Sequence, residues 1–133
     1  TKRRHGDLRP ANAVVACKSD GVFVSLIDFG LAEKMRRDSS YALNALFFPA
    51  HSPESQIGFC GLPHDIFGLS KLFAAVGKWG GVTIRNELET ASGNKFSAFL
   101  ARMQSANPQA RPTAKQCDTF VVQLSTRVHS IAR

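Results

Sequence analysis

Cysteine is scarce in this chain of 133 residues. Cys17, Cys60 and Cys117 stand far apart with no CxxC spacing. That pattern argues against a disulfide framework and a zinc site, and makes a reducing intracellular compartment, cytoplasmic or organellar matrix, the expectation. Long apolar runs are also missing. None approaches the ~18 residues needed to span a bilayer, so no membrane insertion is expected. The opening Thr1-Lys2-Arg3-Arg4-His5 has no apolar stretch behind it and no initiator Met. It does not read as a signal peptide, and the chain is expected to begin inside a longer or processed product. Acidic residues are the minority, 10 against 17 Lys and Arg. The excess leaves room for an acidic partner such as nucleic acid, but this rests on net charge alone. The bases are scattered apart from Lys2-Arg3-Arg4 and Lys34 with Arg36-Arg37, so a basic soluble surface is the preferred reading. Repeats and low-complexity tracts are absent.

Hydrophobic residues make up 44% of the chain, enough for a packed core in one domain. Ala13 to Cys17 and Val22 to Ile27 are short, apolar and rich in β-branched side chains, and Lys18-Ser19-Asp20-Gly21 between them has turn chemistry. A β-hairpin over residues 13–27 is expected. Residues 30–53 carry no sustained period and read as a long loop. Asp65 to Val76 is apolar on nearly every face and reads as a buried helix, ended by Lys78-Trp79-Gly80-Gly81. Phe96, Phe99, Leu100 and Met103 share one helical face, which Asn107-Pro108 closes. Pro112-Thr113-Ala114 opens a last helix with Phe120, Val121, Leu124, Val128 and Ile131 on a stripe. The expected fold is mainly α with a small β-hairpin: hairpin, long loop, three helices.

Three short motifs follow one another. His5-Gly6-Asp7-Leu8-Arg9-Pro10-Ala11-Asn12 comes first, then Asp28-Phe29-Gly30 sixteen residues after Asn12, then Ser52-Pro53-Glu54. A lone Asp-Phe-Gly carries little weight. An HxDxxxxN joined to it across an expected hairpin carries much more. The set resembles the catalytic loop, magnesium loop and APE motif of eukaryotic-type protein kinases. Asp65-Ile66-Phe67-Gly68-Leu69 is similar to the start of the kinase αF helix, and Asn107 to Thr113 to the segment before the last C-lobe helix. The resemblance runs through most of the chain and thins between residues 77 and 95.

It implies a partial protein-kinase-like C-lobe over residues 1–133, with 1–12 as catalytic loop, 28–54 as activation segment and 65–133 as helical subdomain. Phosphoryl transfer depends on positioning and charge neutralisation, so each motif residue has an expected role. Asp7 takes the substrate hydroxyl's proton. Arg9 sits near the transferred phosphate and stabilises developing charge. Asn12 and Asp28 offer hard oxygens to magnesium, with ATP and Mg2+ as the cofactors of a completed kinase. His5 is expected to pack under Phe29, with both structural and Phe29 in the core. Glu54 and Arg111 are expected to form a buried ion pair. Asp65 is expected to bond the catalytic-loop backbone, with a plain N-cap as its alternative.

Departures qualify the match. Gly6 stands where regulated kinases place an Arg that receives an activation-loop phosphate, so phosphorylation at Ser39, Ser40 or Tyr41 lacks its usual receptor. His-Gly-Asp-Leu also occurs in small-molecule kinases of the aminoglycoside and choline type, but those lack the Ser-Pro-Glu, Asp-Ile-Phe-Gly and Arg-Pro-Thr seen here. The stretch from Phe47 to Ser52 fits neither substrate-docking pattern cleanly; a Ser/Thr hydroxyl is preferred to Tyr. No Gly-rich loop, strand Lys or helix Glu is present, and the helix before the catalytic loop is missing. The isolated chain is therefore expected to be inactive, to bind ATP weakly and to leave the 66–76 helix uncovered, needing an N-lobe or another protein subunit as partner. Three functions compete: a protein kinase completed by an N-lobe and acting on a protein substrate, a non-catalytic pseudokinase scaffold within a larger complex, and nucleic-acid association.

Overall fold

The computed structural model describes residues 3–34, 52–54, 61–79 and 81–131. The phosphorylatable Ser39, Ser40 and Tyr41, the docking stretch 47–51, Lys2, Arg36, Arg37 and Cys60 lie outside the described residues.

Two small antiparallel ladders open the chain. Strand β2 (Ala13–Lys18) pairs with β3 (Gly21–Leu26), from Ala13 opposite Leu26 to Lys18 opposite Gly21. Ser19 and Asp20 form the two-residue connection, short enough to fix the register. Strand β1 (Arg3–Arg4) pairs with β4 (Glu33–Lys34), a contact the expected long loop did not include. A 3-10 turn at Pro10–Asn12 leads from the motif octet into β2.

Four α-helices follow among the described residues, one more than the sequence pattern indicated. Helix α1 (Leu62–Trp79) starts three residues before the expected Asp65. Helix α2 (Gly81–Ala91) had no sequence expectation. Its apolar residues are too few to draw a stripe, and its stability comes from packing on α1, α3 and α4. Helix α1 ends at Trp79, within the expected terminator, and α2 begins at Gly81. Helix α3 (Phe96–Met103) starts where Ser92 Oγ accepts the amides of Lys95 and Phe96 at 3.1 and 2.9 Å. Helix α4 (Ala114–Ile131) opens with a reciprocal cap: Gln116 N donates to Thr113 Oγ1 at 3.3 Å, and Thr113 N donates to Gln116 Oε1 at 2.8 Å.

The core joins Ile66 of α1, Met103 of α3 and Cys117 of α4, with Leu69, Phe73, Phe99 and Leu100 packed around them. Phe99 and Phe120 stack at 4.0 Å. On α4 the inward stripe is therefore Cys117, Phe120 and Leu124. Val121 is exposed, and the side chains of Val128 and Ile131 lie outside the described residues. Cys117 behaves as a small apolar side chain, its thiol pushed up by burial against a smaller pull from Arg102.

Helix α1 is less exposed than expected. Ile66, Phe67 and Ser70 are buried, Leu69, Leu72 and Phe73 are half-buried, and Val76 is exposed. The large exposed apolar surface lies instead on the hairpin and the residues after it, from Val14 to Leu31. Among the described residues, no helix is long and apolar enough to cross a membrane.

Candidate active site

The octet from His5 to Asn12 lies against the first turns of α1. Gly68 permits that approach: a Cβ there would collide with the Leu8 carbonyl oxygen and stand 2.8 Å from the Leu8 Cβ. Asp65, in the first turn of α1, accepts the His5 amide at 2.6 Å and the Gly6 amide at 2.9 Å. Its carboxylate thus serves the octet's backbone rather than capping its own helix.

His5 uses both ring nitrogens. Nε2 lies 3.1 Å from the Ile27 carbonyl, and Nδ1 accepts the Asp7 amide at 3.3 Å. The carbonyl can only accept, so Nε2 carries the proton and the ring is neutral in this arrangement. Gly6 has φ +86°, and a Cβ there would lie 2.6 Å from the Leu31 carbonyl oxygen. Position 6 therefore excludes the Arg of regulated kinases on local grounds, both steric and conformational.

Asp7 is 4% exposed. The Asn12 side-chain amide donates to the Asp7 carbonyl at 2.9 Å and to its Oδ2 at 2.8 Å. Arg9 Nε lies 3.1 Å from the same Oδ2. A buried carboxylate is costly unless paired and hydrogen-bonded, and these two neighbours meet that requirement. Asp7, Arg9 and Asn12 are thus one cluster.

Asp28 follows the hairpin. Asn12 O accepts the Ile27 amide at 2.9 Å, which brings the backbone on either side of the hairpin together. The Asp28 carboxylate, however, turns to its own Gly30 amide at 3.2 Å, and its φ is +60°. Positive φ is uncommon outside glycine but is tolerated by Asp with a local hydrogen bond. The Asn12 amide nitrogen meanwhile turns to Asp7. Among the described residues, no group of three or more His, Cys, Asp or Glu side chains forms a metal cage.

Phe29 is a correction. Its ring meets His5 at 4.7 Å and 51°, as expected, but it is 60% exposed and is no core residue of this chain. One tilted aromatic contact does not bury a ring.

Glu54 and Arg111 join the site's floor. Arg111 donates to both carboxylate oxygens, at 2.5 and 2.7 Å, and also to the Ser105 and Pro63 carbonyls. Its guanidinium lies over the Phe67 ring at 5.0 Å. Burial pushes the Glu54 carboxyl up, but hydrogen bonds from Arg111, from its own backbone and from Ser52, with the Arg111 charge, leave it below the usual carboxylate value.

Two buried polar residues make contacts that no motif specified. Ser52 Oγ lies 2.8 Å from His64 Nδ1, and His64 Nε2 lies 3.0 Å from the Gly6 carbonyl. A pairing across 58 residues leaves no periodic trace. The cues were that Ser52 opens the third motif and that His64 immediately precedes Asp65. No protein-family model and no curated protein matches the chain.

Proposed function

We propose that this chain is the catalytic part of a protein-kinase-like C-lobe, transferring the γ-phosphoryl group of ATP to a protein hydroxyl when a nucleotide-gripping lobe completes it. The observation that carries the reading is the buried Asp7 carboxylate, held by Asn12 and Arg9 while Asp65 grips the two amides before it. A preorganised carboxylate beside a guanidinium suits a reaction that needs a proton acceptor and a positive charge. Asp7 would take the hydroxyl proton as that oxygen attacks phosphorus. Arg9, about one-third exposed at its side chain, would turn from Asp7 to the transferred phosphoryl group.

The oxygen donors fit magnesium chemically. Asn12 Oδ1 and the exposed Asp28 carboxylate are hard ligands, and magnesium keeps several waters and phosphate oxygens rather than needing an all-protein cage. When bound, the ion would neutralise phosphate charge.

A second reading, a non-catalytic pseudokinase scaffold, draws on the nine large apolar residues exposed between Val14 and Leu31. One experiment separates the two: phosphoryl transfer and Mg-ATP titration with wild type, Asp7→Asn and Asp28→Ala. The enzyme reading expects Asp7→Asn to lose roughly 10²–10⁴-fold in turnover with the fold intact, and Asp28→Ala to lose the magnesium dependence of nucleotide binding. Equal turnover in Asp7→Asn, or no nucleotide binding by wild type with its nucleotide-gripping partner supplied, would leave the scaffold reading.

A further inference from the structure

We infer that His64, with Ser52 behind it, is a positioning residue that fixes the peptide leading into Asp7; this role in turnover rests on the kinase-like reading above. Both side chains are buried, Ser52 completely and His64 to 3% exposure. The Gly6 carbonyl can only accept, so His64 Nε2 carries the ring proton and donates to it at 3.0 Å. Ser52 Oγ lies 2.8 Å from Nδ1 on the other side of the ring. His64 thus has both ring nitrogens engaged, as a buried imidazole requires.

The position of these bonds gives them their consequence. The Gly6 carbonyl and the Asp7 amide belong to one planar peptide unit. His64 holds the oxygen of that plane, and His5 Nδ1 accepts the Asp7 N–H on its other side at 3.3 Å. Asp65, the next residue on α1, takes the Gly6 N–H at 2.9 Å. Three side chains therefore fix the orientation from which the Asp7 side chain departs. Gly6 makes such a clamp necessary, because glycine resists rotation least. Ser52 lies two residues before Glu54, which Arg111 anchors, so the relay also ties the end of the 28–54 segment to Asp7. Removing the relay should let the peptide plane swing, misplacing the carboxylate without changing nucleotide contacts.

The test combines a spectroscopic signature of the chain with kinetics in the presence of its nucleotide-gripping partner. ¹⁵N NMR of the imidazole should report a protonated, hydrogen-bonded Nε2. His64→Phe keeps a ring but no nitrogen. It should raise amide exchange at Gly6 and Asp7 by about tenfold, the worth of one lost hydrogen bond, with α4 exchange unchanged. Turnover should fall by roughly 10²-fold with KM for ATP unchanged. His64→Gln, which can still place an N–H on the Gly6 carbonyl, should recover most of both. If His64→Phe does not fold, Ser52→Ala serves: it should move the Nδ1 resonance and raise the same two exchange rates less. An unprotonated Nε2, or exchange at Gly6 and Asp7 equal to wild type, would overturn the relay. Absence of phosphoryl transfer by wild type with its nucleotide-gripping partner supplied would count against the kinase reading alone, since Nε2 protonation and the exchange rates decide the relay without it.

Discussion

From Arg4 to Asn12, four polar or charged residues are buried: Arg4, His5, Asp7 and Asn12. From Val14 to Leu31, just beyond, every residue is exposed, including Val15, Val22, Val24 and Phe29. The two segments reverse the usual assignment of polar and apolar side chains. The difference lies in what each is given to pack against. The first lies on α1, which supplies Asp65 and His64 to its backbone, while Asn12 and Arg9 serve Asp7. His5, Asp7 and Asn12 can then be buried at little cost because hydrogen bonds meet their polar groups. The second is a two-stranded ribbon held by its own ladder, with no described layer over either face. An isolated hairpin is marginal in water. In this chain the polar region is the one packed and bonded to a helix, and the apolar one is held by its own ladder.

The sharpest way to break that contrast is at its anchor. Arg111→Ala and Glu54→Ala should each cost about 3–5 kcal/mol, since either leaves a largely buried charge without its partner. The double variant should cost far less than their sum, and a thermodynamic cycle showing zero coupling would dismiss the pair as a stability element. The same pair sets an acid limb. Glu54 is held below its unfolded value of about 4.3. Its contribution is therefore complete above that pH and fades as pH falls through the lower folded value. Glu54→Gln should flatten that limb in pH-dependent denaturation.

Asp65→Ala should come next. It removes a charged acceptor from two amides, at about 1.5–3 kcal/mol for each bond. Urea denaturation measures the total, and a loss below that of one ordinary hydrogen bond would deny α1 its hold on the octet. Gly6→Ala should cost about 1–3 kcal/mol in backbone strain, with a further penalty from the Leu31 carbonyl, 2.6 Å from the added Cβ. A neutral result would mean that the two segments move independently at that point. At the small end, Val24→Thr keeps β-branching on an exposed strand and should shift stability by no more than about 0.5 kcal/mol. It should also reduce self-association in sizing experiments. A cost comparable to that of Asp65→Ala would show that the hairpin is as tightly held as the octet.

Much of the scaffold was written locally. The hairpin could be read because β-branched runs flank Lys18-Ser19-Asp20-Gly21, and α3 because Phe96, Phe99, Leu100 and Met103 repeat at helical spacing. The order of the octet, Asp28-Phe29-Gly30 and Ser52-Pro53-Glu54 named the residues to watch. The family resemblance carried by these motifs also implied the Glu54–Arg111 contact, which the structure forms with both carboxylate oxygens.

Other features depended on neighbours that no local pattern specifies. Helix α2 had too few apolar positions to declare itself, and β1 met β4 only after the intervening chain turned back. Phe29 looked like a core residue by type, but burial is decided by what packs over a ring, and here it is 60% exposed. Asn12 and Asp28 were both legible as oxygen donors, yet their side-chain directions followed their nearest hydrogen-bond partners, Asp7 and Gly30. The sequence by itself determined the periodicities, the turn and the chemistry of the motif residues, since these depend on side-chain type and spacing. The tertiary structure alone decided that His64 reaches the Gly6 carbonyl, that Gly6 must be glycine and that the hairpin stays uncovered, because each depends on groups brought together, or left apart, across long stretches of chain.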